Sequence, residues 1–374
     1  MAAAGSLLFA VCGVVWLFGA GEYPFGPTGP DGDRLSLMAF LPEQVAAALV
    51  AVSGLLGVPA AVVHVRSTQR RLACWLLLCT TALQVVVFGL LAPNHLVVVV
   101  TGYLLLLVGL PLALGVAILA AWRHGTIRAA LLGVGVVAVA VQAVSGFLDW
   151  NNLEVMATGV AAVPGKLGSQ PFFVFGAFLL GGCWAVLGVR ALRVARGRCL
   201  RCGRPGARWT RPESAKQWGF WATWLAVICP LPSVVVRMTW LLPNPLGIPA
   251  AETDAGPAIR LFGFGLGLVT LAVAVVTLGL IRSWGEIWPR WMPYRGGREV
   301  PVKVVVIPGS VAAGLLLVGS PSLVQLNWIS TDSMLENLGA FLLLPFPLWG
   351  AAVALATAAY HYRRRSTCPL CKQG

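Results

Sequence analysis

The chain has 374 residues, of which 58% are hydrophobic and 11% are charged, and its formal net charge is +14. A soluble globular domain carries about 25% charged residues, so this composition excludes a soluble enzyme or binding domain and predicts a multi-pass membrane protein. In a soluble protein this charge would suggest a nucleic-acid partner. Here the basic residues lie in short segments between apolar runs, so the expected partner is the lipid bilayer and not a nucleic acid.

Ten stretches are long and apolar enough to span a bilayer, which takes about 20 mostly apolar residues. They are residues 5–20, 43–65, 72–92, 95–121, 128–148, 171–195, 217–242, 258–281, 302–323 and 337–361. The first is short and runs into small residues, so it also fits a cleaved signal peptide, although the basic segment that normally opens one is missing. The predicted fold is all-α, a single transmembrane domain of about ten helices over residues 1–374.

The two ends of these helices differ in charge. If the N-terminus is inside, the cytoplasmic segments hold 23 of the 27 basic residues, with nine in the loop 190–216 and four in the tail 363–374. Ten of the 13 acidic residues fall at or near the other side. This is the positive-inside pattern, and it predicts an N-in, C-in protein of a bacterial plasma membrane.

Two C-x-x-C pairs lie in the basic loop and in the tail. Cys199 and Cys202 form the first pair, and Cys368 and Cys371 form the second. Four thiolates at this spacing are typical of a structural zinc site, which leaves no open coordination position for catalysis. Both pairs follow helices that end on the same predicted side, so one Zn²⁺ would tie the tail to the loop. Two other interpretations stay open, unliganded thiols and redox chemistry, although no thioredoxin-like βαβ pattern surrounds either pair.

Arg237 is the clearest ionisable residue at membrane depth, where such groups are costly and often functional. It follows a Cys-Pro-Leu-Pro sequence that is expected to bend the seventh helix. A kinked helix with an arginine fits the binding of an anion or a substrate carboxylate, and Asp149 and Glu22 are further candidates for substrate binding on the outer side. The alternative is that Arg237 reaches the outer headgroups or pairs with an acid such as Glu22, Asp149 or Glu252.

The loop 283–300 is rich in aromatic residues, with three tryptophans and a tyrosine. Amphipathic rings settle at the headgroup level, so the loop is predicted to lie along the inner membrane surface. A cytoplasmic docking surface or a gate is the alternative interpretation.

Two stretches carry a resemblance to other proteins. They are Arg237-x-x-Trp240 with Pro245-Leu246-Gly247-Ile248, and Trp284-Gly285-Glu286-x-x-Pro289-Arg290-Trp291-x-Pro293 with Arg298-x-x-Pro301. Over roughly helices 7 to 9 the chain resembles multi-pass membrane proteins of actinobacteria. The resemblance implies an origin and marks these stretches as the working half of the protein, but it implies no activity.

Three functions are compatible with these features. The first is a small-molecule or ion transporter, because of the kinked helices, Arg237 and the absence of a loop large enough for a soluble domain. The second is a membrane scaffold or accessory subunit that presents a zinc-clamped cytoplasmic face to a protein partner. The third is a membrane enzyme acting on lipid-linked substrates, which would need paired outer acids such as Asp149 and Glu154. The sequence contains no recognisable catalytic motif, so an enzyme is the least favoured of the three.

Overall fold

The computed structural model describes most of the chain. The described residues are 1–26, 36–66, 71–121, 168–199, 208–242, 257–290, 295–329 and 345–365, with positions 128, 131, 132, 135, 149–151, 154, 155, 158, 245, 246, 292 and 368. Their regular structure is helical, apart from one antiparallel bridge between Ile287 and Glu299. The all-α prediction is therefore confirmed for this part of the chain.

Eleven α-helices make up the described bundle. They are α1 (Ala2–Leu17), α2 (Glu43–Arg66), α3 (Arg71–Val86), α4 (Leu96–Leu104), α5 (Leu110–Ala121), α6 (Gln170–Ala195), α7 (Pro212–Ile228), α8 (Leu231–Met238), α9 (Pro257–Thr277), α10 (Val302–Ile329) and α11 (Phe346–Arg364). Two π-helical turns, Val87–Leu91 and Leu105–Gly109, extend α3 and join α4 to α5.

Six stretches of the described chain have the length and composition to cross a membrane, which is compatible with an integral membrane protein. They are Glu43–Val63, Leu96–Val116, Gln170–Ala195, Pro212–Leu241, Ala258–Leu280 and Val302–Pro321. They match six of the ten predicted spans. The first and third predicted spans form shorter apolar helices, Ala2–Leu17 and Trp75–Leu91. The fifth lies almost entirely outside the described residues, and the tenth is described only from residue 345, so the count of ten and the orientation of the termini stay predictions.

Small residues set the close helix crossings. A Cβ atom on Gly13 would lie 2.5 Å from the backbone nitrogen of Ala51, and one on Gly54 would lie 2.6 Å from that of Ala10. The α1 and α2 backbones therefore touch. A Cβ atom on Gly181 of α6 would likewise lie 2.6 Å from the Cα atom of Gly89 in the first π-helical turn. Such contacts replace the hydrophobic effect as the force that holds helices together in lipid.

The buried side chains form two main groups. One joins α1, α2, α3 and α6, and includes the fully buried Trp184 and Phe88. Within it the Trp184 indole N–H donates to the Ser6 hydroxyl over 3.1 Å. The other joins α7, α10 and α11 through small residues and Trp349. The helices of the second group extend to the end of the bundle where α11 ends and α7 begins.

The segment after α1 folds back onto the first group. Trp16, Tyr23 and Phe25 contact one another edge to face, with ring centroids 5.7–5.9 Å apart. The Tyr23 hydroxyl lies 3.7 Å from the Met38 sulfur. Burial, and to a lesser degree the charge of Glu43, raises the pKa of Tyr23 above its ordinary value of 10.0.

Candidate metal centre and the basic face

Four chain segments meet at one end of the bundle. We call this end the basic face, and define it as the described residues within 193–199, 208–216, 282–300 and 360–368. It contains the C-terminal ends of α6 and α11, the N-terminal end of α7 and the described part of the loop between α9 and α10.

The end of α6 is shaped by Gly197. Its φ of +61° lies in the left-handed region that favours glycine. The Gly197 N–H donates to the Val194 carbonyl over 3.0 Å, and the Arg198 N–H donates to the Arg193 carbonyl over 2.8 Å. This pair of bonds is a Schellman motif. It stops the helix and turns the chain, so that Cys199 lies two residues beyond the turn.

The end of α11 is tied to the loop between α9 and α10. The Tyr360 hydroxyl, on a side chain with 1% exposure, donates to the Gly285 carbonyl over 2.7 Å. Arg363 donates to the Glu286 carboxylate over 2.7 Å and to the Leu280 carbonyl over 2.8 Å. Arg364 bonds the Glu286 carbonyl over 3.0 Å and the Tyr360 hydroxyl over 3.2 Å. Cations in the last turn also interact favourably with the helix dipole.

The tail that follows α11 contacts the segment before α7. Arg365 donates to the Thr210 carbonyl over 3.1 Å, and its guanidinium lies 4.9 Å from the centroid of the Tyr362 ring. Trp209 contacts Tyr362 with ring centroids 5.4 Å apart, and its carbonyl accepts the Trp218 indole N–H over 3.0 Å. These contacts direct the tail toward the end of α6.

Two cysteines meet where these segments converge. The Cys199 and Cys368 sulfur atoms are 3.9 Å apart, although the residues are 169 positions apart in sequence. The two are not joined by a disulfide, which would need a separation of about 2.0 Å. Cys368 is buried, with 4% exposure. Cys202 and Cys371 lie outside the described residues, so the structure describes one cysteine of each predicted pair.

The described residues alone do not make a complete metal site. Within them, no group of three or more His, Cys, Asp or Glu side chains comes together. The sulfur separation still fits one edge of a tetrahedral zinc site. With Zn–S bonds of about 2.3 Å, two tetrahedral thiolate ligands lie about 3.8 Å apart.

Arg237 lies near the end of α8, at the other end of the bundle. α7 ends at Ile228 and α8 begins at Leu231, so the predicted bend is an interruption of the helix at Cys229 and Pro230. The Arg237 guanidinium lies 5.2 Å from the Trp240 ring centroid, a cation–π contact. Arg260 of α9 approaches from the other side and donates to the carbonyls of Trp240 and Leu242.

Two of the three acids predicted to pair with Arg237 lie among the described residues. Glu22 is exposed after α1, and Asp149 precedes a helical turn at Trp150 and Asn151. Glu252 lies outside the described residues. Arg237 contacts the aromatic ring of Trp240 in the turn that follows α8, and its role in binding a substrate stays a prediction.

Sequence reasoning missed the contacts that organise the basic face. Tyr360, the three arginines after it and Glu299 were not singled out, and Glu286 was named only within the stretch that carries the resemblance. One signal was available. Acidic residues are rare on that side, and Glu286 and Glu299 flank a loop that must face the arginine-rich end of the last helix.

The chain matches no protein-family model, no curated protein and no solved structure in the three comparisons made. The resemblance to actinobacterial membrane proteins therefore stays a prediction.

Proposed function

We propose that the protein is a plasma-membrane scaffold whose basic face lies in the cytoplasm, is clamped by a zinc ion, and is presented to a protein partner. The observation that carries this proposal is the 3.9 Å separation of the Cys199 and Cys368 sulfur atoms. Two segments so distant in sequence approach this closely because α6 and α11 both end at the basic face.

The proposed ligands of the zinc ion are Cys199, Cys202, Cys368 and Cys371. Cys202 and Cys371 are included because a C-x-x-C spacing lets both thiolates of a pair face one ion. Four thiolates complete the tetrahedral coordination, so the role of the metal is structural. A reducing cytoplasm favours this assignment, since thiols there rarely form stable disulfides.

The cytoplasmic placement rests on the distribution of charge. The basic face includes the loop and tail in which the arginines of the chain concentrate, and such segments stay on the cytoplasmic side during insertion. A metal clamp on this side would fix the tail without restricting the rest of the bundle.

The surface next to the two cysteines has the composition of a protein-binding site. Trp209 is 54% exposed and packs against Trp218 and Tyr362, with Arg365 over the Tyr362 ring. Tryptophan, tyrosine and arginine dominate the energetic centres of protein interfaces. The proposed partner is therefore a cytoplasmic protein that docks on this aromatic cluster.

Purification in a mild detergent tests this function. We expect one stoichiometric partner with the wild type, and loss of that partner with Cys368→Ser or Trp209→Ala. Cys183→Ser is the matched control, because Cys183 lies on α6 but within the membrane span. A partner retained by all three variants would show that the clamp and the cluster do not recruit it. Absence of any stoichiometric partner from wild-type membranes would refute the scaffold and favour a test of solute uptake with Arg237→Ala.

A further inference from the structure

The loop between α9 and α10 is closed by the antiparallel bridge between Ile287 and Glu299, which the sequence analysis did not predict, and we call the described residues within 282–300 the hairpin. The Trp288 N–H donates to the Arg298 carbonyl over 2.9 Å, and the Val300 N–H donates to the Glu286 carbonyl over 2.8 Å. Gly297 supports the turn with a φ of +78°, and its N–H donates to the Trp288 carbonyl over 2.9 Å. These bonds hold residues 286–288 against residues 297–300.

The hairpin is held close to the ends of two span-capable helices. A Cβ atom on Gly285 would lie 1.8 Å from the Gly279 carbonyl oxygen, and one on Gly279 would lie 2.5 Å from the Trp284 ring. Trp284 and Gly285, near the start of the hairpin, therefore pack directly against Gly279 in the turn that follows α9. Because Ala258–Leu280 and Val302–Pro321 are both candidate spans, a loop held this close to them lies at the level of the lipid headgroups.

The acids of the hairpin are engaged by α11. Glu286 pairs with Arg363 over 2.7 Å, and the more exposed Glu299 lies 3.4 Å from Arg364. The arginines of the hairpin are not part of these ion pairs. Arg282, Arg290, Arg295 and Arg298 are all exposed, and none of the described contacts pairs them with an acid.

Apolar side chains are exposed among these arginines. Trp284 is 38% exposed and Ile287 is 49% exposed. A surface that combines arginines with a tryptophan and an isoleucine matches the inner headgroup region, where rings and apolar groups enter the interface and cations meet phosphates. A soluble acidic partner would match the charges but would not need the hairpin to lie at membrane level.

We propose that this hairpin surface binds anionic phospholipid headgroups of the inner leaflet. Each arginine close to an anionic membrane contributes a preference of about fivefold for charged over neutral lipid. Removing three of them should therefore lower the preference by about 100-fold and leave the roughly fivefold preference that Arg282 contributes. The proposal is independent of the zinc clamp, because it uses none of the four cysteines.

Photocrosslinking in nanodiscs tests the proposal with the full chain. The probes are phosphatidylglycerol and phosphatidylcholine that carry a diazirine in the headgroup region, and labelled peptides are mapped by mass spectrometry. We expect phosphatidylglycerol to label the hairpin peptides at least about 100-fold more strongly than phosphatidylcholine does. The triple variant Arg290→Gln, Arg295→Gln, Arg298→Gln should reduce this difference to about fivefold.

The matched control is Arg196→Gln, Arg208→Gln, Arg211→Gln, which removes the same charge from exposed positions of the basic face outside the hairpin. It should keep the preference. Equal labelling by the two lipids in the wild type would overturn the proposal, and so would an equal loss in the two triple variants. Failure of both lipids to label the hairpin, with salt-sensitive binding of polyglutamate at the same residues, would assign the surface to an acidic protein segment and would also overturn it.

Discussion

The hydroxyl group of Tyr360 links α11 to the hairpin, and its removal gives a sharp test of how the basic face is held. The hydroxyl donates to the Gly285 carbonyl over 2.7 Å and accepts from Arg364 over 3.2 Å. The Tyr360→Phe substitution removes both bonds and keeps the ring. Gly285 is buried and packs against Gly279, so its carbonyl has little room for a replacement water.

The expected cost follows from these contacts. A buried hydrogen bond whose partner is left unsatisfied costs about 1–3 kcal/mol. If that free energy is lost from the docking of the hairpin, the population of undocked hairpin rises by about 5- to 150-fold. Trypsin digestion reports this population, because cleavage after Arg295 or Arg298 requires the turn to open. When the hairpin redocks faster than trypsin cleaves, the cleavage rate is proportional to the undocked population.

The assay is limited trypsin digestion of detergent-purified protein, with cleavage sites mapped by mass spectrometry. Tyr362→Phe is the matched control, since Tyr362 lies two residues along α11 and packs by its ring against Trp209. We expect faster cleavage in the hairpin for Tyr360→Phe and an unchanged rate for Tyr362→Phe. Identical rates for Tyr360→Phe and wild type would refute the reasoning that the hydroxyl holds the hairpin.

Two further predictions concern the rest of the bundle. Gly181→Ala should lower thermal stability in detergent, because its Cβ atom would lie 2.6 Å from the Gly89 backbone. The neighbouring Gly182→Ala is the control, since its Cβ atom would meet no atom within 4 Å and should leave stability unchanged or slightly raised. Equal effects of the two substitutions would contradict the close crossing of the two backbones. Since the pKa of Tyr23 is raised in the folded protein, its contribution to stability is complete below pH 10.0 and is lost as pH rises further. A thermal-stability series at increasing alkaline pH should therefore fall less steeply for Tyr23→Phe than for wild type, and parallel curves would contradict this assignment.

The sequence was sufficient to predict that the two segments with C-x-x-C pairs lie at the same end of the bundle. Basic residues and both C-x-x-C pairs follow helices that end on one predicted side, and Cys199 and Cys368 lie together at the basic face. The interruption at Cys229 and Pro230 was also predictable, because proline removes a backbone donor.

The remaining features depend on contacts between distant segments. The pairing of Tyr360 with Gly285 requires the approach of the Gly279 and Gly285 backbones, which no local pattern encodes. The π-helical turns, such as Val87–Leu91, were missed for another reason. A membrane helix is apolar all round, so one extra residue in a turn does not disturb any visible periodicity.

The metal content of detergent-purified protein tests the zinc-clamped face most directly. The proposal predicts about one zinc per chain in the wild type. The metal should be lost in Cys199→Ser and in Cys368→Ser and retained in Cys183→Ser. A wild-type protein without metal, with Cys199, Cys202, Cys368 and Cys371 all open to alkylation, would contradict the zinc clamp.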